Sequence, residues 1–132
     1  MSDLSYGFTK TVPGTVDEVD GRVREALATQ GFGVLTEIDV ASTLKNKIDV
    51  DFRPYRILGA CNPGLAHQAL SEEANIGLLL PCNVVVYQGD DPNTTVVSIL
   101  DPELQLGVSG RDDLGALAGE VRARMEQVLQ AV

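Results

Sequence analysis

Apolar and polar residues alternate over residues 4–12. Leu4, Tyr6, Phe8 and Val12 share one face, with Lys10 interrupting it, and Ser5, Gly7, Thr9 and Thr11 take the other. A period of two predicts a half-buried strand, and Pro13-Gly14 ends it as a turn. The period then lengthens. Val16, Val19, Val23, Ala26 and Leu27 recur at helical spacing, and Thr15 with Glu18 three residues on forms a capping box. Gly31 fits the left-handed residue that closes such a helix. Gly21 in the helix interior costs about 1 kcal/mol relative to alanine and reads as a close packing contact. Alternation resumes over residues 32–40, with Phe32, Val34, Thr36, Ile38 and Val40 on one face and Glu37 and Asp39 on the other. A short helix is predicted over residues 41–48, its Lys45 and Lys47 solvated.

Tyr55–Cys61 reads as a third strand. Asn62-Pro63 then starts a helix, because Asn caps free amides and Pro at the first helical position has no N–H to lose. That helix runs to about Glu73 and buries Leu65, Ala66, Ala69 and Leu70. His67 lies about 200° around it from Leu65. Pro81 cannot donate to a sheet ladder, so the next strand follows it, over Cys82–Gln88. Val84, Val85, Val86 and Tyr87 leave neither face polar, the pattern of a central strand covered on both sides. Residues 89–93 are a hairpin loop and Thr94–Leu100 a fifth strand. Residues 101–109 read as a loop. In the last helix Leu114, Leu117, Ala118, Val121, Met125, Val128, Leu129 and Val132 keep helical spacing, and Gly115 and Gly119, four apart, leave room for another backbone. The order of elements predicts an α+β fold: a single domain over residues 1–132. Its sheet is mixed, mainly antiparallel, of about five strands, with helices packed mainly on one face.

The composition narrows the function classes. The chain of 132 residues has a formal net charge of −9, with 44% hydrophobic and 22% charged residues. It is long enough for one core without a disulfide or metal to hold it. A surface this acidic, with its basic residues scattered, disfavours nucleic acid and anionic membranes. No signal-peptide pattern opens the chain, and no apolar run approaches the roughly twenty residues of a bilayer span. The expectation is a cytoplasmic protein with free thiols.

The candidate chemistry lies between Arg53 and Gln88, which holds both cysteines and the only histidine. Cys61 precedes a helix N-terminus, where a thiolate is stabilised, and Cys82 opens the next strand. Cys61, Asn62, Cys82 and Asn83 are the candidate ligand-binding residues. Cys61, His67 and Cys82 form a candidate soft-metal set, although their spacing matches no standard zinc signature. The amides after Asn62 offer a second possibility, a small anion. No nucleophile elbow, phosphate loop, dinucleotide fingerprint or catalytic carboxylate pair occurs. The paired acids Asp90-Asp91, Asp112-Asp113 and Glu72-Glu73 read as turn, helix-start and solvated residues.

The segment YRILGACNP at residues 55–63, the helix with Leu65, Ala66, Ala69 and Leu70, and LLLPCNVVVY at residues 78–87 together resemble the bacterial domain-of-unknown-function family 302. GFGVLTEIDV and TLKNKIDVDFRPY resemble it too, so the likeness spans essentially the whole chain. It implies a small α+β domain of a kind that tends to form homodimers, with no agreed biochemical activity; the cofactor is unknown. Three readings compete: a homodimeric module binding a small molecule or ion near Cys61 and Cys82, a thiol-based redox or soft-metal protein using those cysteines, and a protein-interaction domain without a ligand.

Overall fold

The computed structural model describes residues 2–132. The chain runs β1 (Ser2–Leu4), β2 (Gly7–Pro13), α1 (Val16–Thr29), β3 (Gly33–Asp39), α2 (Val40–Ile48), β4 (Tyr55–Cys61) and α3 (Pro63–Glu72). After a 3-10 turn at Ala74–Leu79 come β5 (Cys82–Gln88), β6 (Thr94–Leu100) and α4 (Pro102–Gly107); a second 3-10 turn at Asp112–Leu114 leads into α5 (Gly115–Ala131). The strands form one sheet in the order β1-β2-β6-β5-β4-β3. All five pairings are antiparallel. The pattern over residues 4–12 predicts one strand, but the chain turns back at Ser5 and Tyr6 and makes a hairpin of two.

Helices α1 and α5 pack on one face of this sheet. Leu58, Val84, Val86, Val97 and Ile99 project from the strands to meet Val19, Val23 and Leu27 of α1 and Met125, Val128 and Leu129 of α5. Full burial of such a side chain stabilises the fold by about 1.5–3 kcal/mol. A smaller cluster of Ala69, Ile76, Leu106, Leu114 and Ala118 ties α3, the 74–79 turn, α4 and α5 together at one end of the sheet. Val85 and Tyr87, on the opposite face of β5, are only half-buried. β5 is thus an interior strand, as its residues predict, but the close packing is one-sided.

Local signals account for most boundaries. Thr15 Oγ1 accepts from the Glu18 amide at 3.2 Å. The reciprocal arm of the capping box is replaced by a direct contact, Thr15 Oγ1 to Glu18 Oε1 at 3.1 Å. Gly31 has φ of +81°, the left-handed conformation its position requires. Asp39 caps α2 by accepting from the Ser42 amide at 2.9 Å. Residues 101–109 are not a plain loop. Asp101 caps α4, accepting from the Glu103 amide at 2.9 Å, and Pro102 occupies the first turn. That is the same signal as Asn62-Pro63.

Three packing expectations are corrected. An ideal Cβ at Gly21 or Gly115 meets nothing within 4 Å, and one at Gly119 meets only Glu103 Oε1 at 3.8 Å. No backbone approaches these glycines. The face assigned over residues 32–40 also changes partway. Val34 pairs with Ala60, Thr36 with Gly59 and Ile38 with Ile57, with a register shift between Val34 and Thr36. One extra residue in a strand reverses the face of all that follow. Val34 therefore faces the core, and Ile38 sits on the opposite face at 49% exposure.

Two polar residues inside the packed layer have partners. Lys10, between Phe8 and Val12, donates from Nζ to the main-chain oxygens of Leu129 at 3.2 Å, Gln130 at 3.4 Å and Val132 at 2.7 Å. α5 has no basic residue in its own last turn, so β2 supplies the positive charge that its carbonyl end favours. Asp20, buried on α1, lies 2.5 Å from Arg24 and 3.2 Å from Arg56. Arg56 also pairs with Asp17. A buried carboxylate needs this double pairing, because an isolated one costs several kcal/mol.

Candidate functional site

The end of the sheet where β4 stops and β5 begins opens into a cavity of about 320 Å³. Cys61 and Asn62 reach it from the junction of β4 and α3, and Leu65 and Ala66 from the first turns of α3. Pro81 and Cys82 line it from the start of β5, Leu35 and Thr36 from β3, Gln105 and Leu106 from α4, and Leu117 and Val121 from α5. The lining holds no carboxylate, imidazole, guanidinium or ammonium group.

Both cysteines line the cavity, and the strand register brings them near each other. Cys82 stands opposite Ala60 in the antiparallel pair, one residue from Cys61. Both thiols are free. Burial, and secondarily the neighbouring Cys61, push the Cys82 thiol up to about 11. At neutral pH Cys82 is a protonated, weakly polar wall of the cavity rather than a nucleophile.

Asn62 caps α3 as its sequence position predicts, with Oδ1 accepting from the Leu65 amide at 3.2 Å. Its side-chain oxygen is thereby committed, and no cation lines the cavity to draw an anion to that helix end. The other two candidates lie elsewhere. Asn83 is exposed and pairs with Gly59, on the face opposite Val84 and Val86, because adjacent residues of a strand point to opposite faces and Asn83 is the neighbour of Val84. His67 is exposed on α3 and lines a separate shallow hollow with Ser71, Glu72, Asp113 and Glu120. The helical rotation that separates it from Leu65 turns it away from the sulfurs. Among the described residues no three His, Cys, Asp or Glu side chains come together as a metal site. The set of Cys61, His67 and Cys82 is therefore not assembled. Leu70, expected to be buried, lines the cavity while remaining 42% exposed.

Gln105 is the residue that sequence reasoning missed. It is 7% exposed on α4. Its Nε2 donates to the carbonyls of Leu79 and Pro81, the latter at 3.0 Å. Two acceptors on one side of the amide fix its orientation, since the reverse would set oxygen against oxygen. Oε1 is left buried without a partner among the described residues. The available signal was Asp101-Pro102, which starts the helix that carries Gln105.

The comparisons with known proteins agree with this architecture. Residues 8–132 match the family model described as Domain of unknown function DUF302. The fold is similar to a crystal structure of an uncharacterized conserved protein DUF302 from Bacillus stearothermophilus, at 32% identity and a TM-score of 0.88. The match covers 97% of this chain and 98% of that one. No curated protein matches. Among the described residues no helix is long and apolar enough to cross a membrane. With a family match over nearly its whole length and the same fold as that solved relative, the chain belongs to the DUF302 family.

Proposed function

We propose that the chain is a homodimeric binding module that holds a small molecule in the cavity beside Cys61 and Cys82 and performs no chemistry of its own. The observation that carries this reading is the cavity itself. Concave, mostly apolar spaces of roughly 300–1,000 Å³ with a few placed polar groups are the usual form of small-molecule sites. At about 320 Å³, this one is at the lower end of that range. The thiol reading has less support, because burial holds the Cys82 thiol in its protonated form. Dimerisation is supported by apolar side chains left in water along one edge. Leu35 on β3 is 67% exposed and Ile48 on α2 is 63% exposed, with Ile38, Val50 and Phe52 nearby in sequence also exposed. α2 buries none of its residues. An apolar edge of this kind marks an interaction surface.

A native mass spectrum of the gently purified protein tests both parts. The expected result is a dimer carrying non-covalent added mass that Ala66→Phe, which fills the cavity, removes. Added mass that survives Ala66→Phe but disappears in Cys61→Ser and Cys82→Ser would favour a thiol-bound metal or cofactor. A bare monomer at all concentrations would refute the dimer.

A further inference from the structure

The residues that line the cavity divide into a floor and a rim. Phe32, Ala60, Leu65, Ala69, Leu106 and Val121 line it and are buried. Leu35 and Leu70 line it too, yet they are 67% and 42% exposed. The space is therefore deep at one end and open to solvent at the other. The polar side chains of the lining bring nothing to the floor. Asn62 commits Oδ1 to the Leu65 amide and turns Nδ2 toward Gly31, which is not part of the lining. Gln105 turns Nε2 to the carbonyls of Leu79 and Pro81, and its Oε1 is covered from solvent. The Thr36 hydroxyl lies over Gly59 beside Pro81, and Thr36 is exposed, so it belongs to the rim.

The two ends of the space make opposite demands. A polar or charged group driven to the floor would leave water and find no partner, which is unfavourable. Hydrocarbon placed there gains free energy with each methylene buried. At the rim a polar group keeps its water. One kind of molecule satisfies both ends: hydrocarbon along one part and polar at a single terminus. Size narrows the choice. A cavity of roughly 150 Å³ accepts benzene, and this one, at about 320 Å³, is about twice as large. Roughly ten to twelve carbons fit that scale. One medium-length tail is accommodated, and the two longer tails of a bilayer lipid are not.

We infer that the cavity takes a free, single-tailed amphiphile tail first, with roughly ten carbons on the buried floor and the head left in water at the rim formed by Leu35 and Leu70. This inference rests on the proposal that the cavity is a ligand site and adds the class of the ligand and its orientation. The wall makes no polar contact with the head, so the charge of the head carries little weight. The far end of the tail decides affinity, because that end meets the floor. The Cys82 thiol contributes contact area rather than a covalent bond.

The experiment is a titration of the full chain, below the micelle concentration of each probe, with the straight-chain carboxylates from hexanoate to hexadecanoate. Decanol and ω-hydroxydecanoate are titrated beside them. Binding is followed by calorimetry and by the methyl NMR signals of Leu65, Leu106 and Val121, which line the floor. From hexanoate to decanoate the affinity should rise about fourfold per carbon, since each buried methylene is worth about 0.8 kcal/mol. The rise should level off beyond roughly twelve carbons. Decanol should bind within about tenfold of decanoate, and ω-hydroxydecanoate roughly tenfold or more weaker than decanoate, because its second polar group must enter the floor. Ala66→Phe should abolish binding, and the wild-type comparisons stand even if that variant fails to fold. Decanol binding far more tightly than decanoate, or ω-hydroxydecanoate binding as well as decanoate, would overturn the tail-first orientation and leave the cavity reading intact. Affinity that climbs through hexadecanoate and survives Ala66→Phe would place the tail on the outer surface and overturn the inference. Co-sedimentation with phosphatidylcholine vesicles would overturn the free amphiphile in favour of a bilayer lipid. No binding by any probe would overturn the cavity reading and this inference with it. A shift of the same methyls on raising protein concentration alone would show a second copy of the chain seated there and overturn the small-molecule assignment.

Discussion

Replacing Cys82 with alanine tests how deeply its thiol is buried in the cavity wall. Burial raises the Cys82 thiol from 9.0 to about 11. The folded state thus holds the proton more tightly than the unfolded chain does. The corresponding stability is fully present below about pH 9 and is lost as pH rises through about 11. Each tenfold difference in proton affinity between the two states is worth about 1.4 kcal/mol. The loss is therefore about 1 kcal/mol at pH 10 and about 3 kcal/mol well above pH 11. Cys82→Ala removes this dependence and also removes the packing of the sulfur, about 1 kcal/mol at every pH. The stability of the wild type minus that of the variant should therefore be positive near pH 7 and should decline to about zero or below by pH 10. Urea unfolding at a series of pH values measures it, and the other titrating groups cancel in the difference. A difference that stays flat from pH 7 to 10.5 would refute the reasoning, because the thiol would then be as well solvated folded as unfolded. The same protonation makes Cys82 slower than a free thiol toward iodoacetamide at pH 8.

Other substitutions probe the frame around the site. Lys10→Met keeps the stem but removes the donor to two carbonyls of α5 and to the Val132 main-chain oxygen; it should lower stability by about 1–2 kcal/mol in urea unfolding. Gly21→Ala should raise stability by about 0.5–1 kcal/mol, since the new methyl meets nothing within 4 Å inside α1 and the unfolded chain loses freedom. Gly31→Ala should do the reverse by about 1–2 kcal/mol, because φ is +81° and the methyl would come within 2.9 Å of Asn62 Nδ2; thermal melts of the two variants should move in opposite directions. Asp20→Ala should cost about 1–2 kcal/mol, since Arg24 and the half-buried Arg56 lose one carboxylate but keep Glu37 and Asp17. A loss under about 1 kcal/mol in denaturant titration would mean that water replaces the carboxylate.

Parts of this outcome were legible from local chemistry. Thr15 with Glu18, Asn62-Pro63 and Gly31 state their helix boundaries in a few residues, because caps and left-handed turns depend on groups within one turn of the chain. The apolar spacing of Val19, Val23 and Leu27 and of Val121, Met125 and Val128 marks the buried sides of α1 and α5 for a similar reason. The cysteine pair was legible in part: the strand boundaries at Cys61 and Cys82 follow from Pro63 and Pro81, but their proximity needed the pairing of β4 with β5. Lys10 shows the opposite case. Its position in an apolar row looks like an interruption until the far end of α5, more than a hundred residues on, comes within reach of its Nζ.

The sequence by itself determined most of the secondary elements, the α+β class and the family, since periodicity, capping and turn chemistry act over short distances. Only the tertiary structure decided which strands pair, which face of β3 meets the core after the extra residue near Leu35, and that His67 and Asn83 turn away from the cysteines. It alone shaped the cavity, whose wall comes from six elements between β3 and α5. Such a space belongs to no stretch of chain. It forms where packed elements fail to fill the volume between them, and so depends on the long-range geometry that local patterns do not carry.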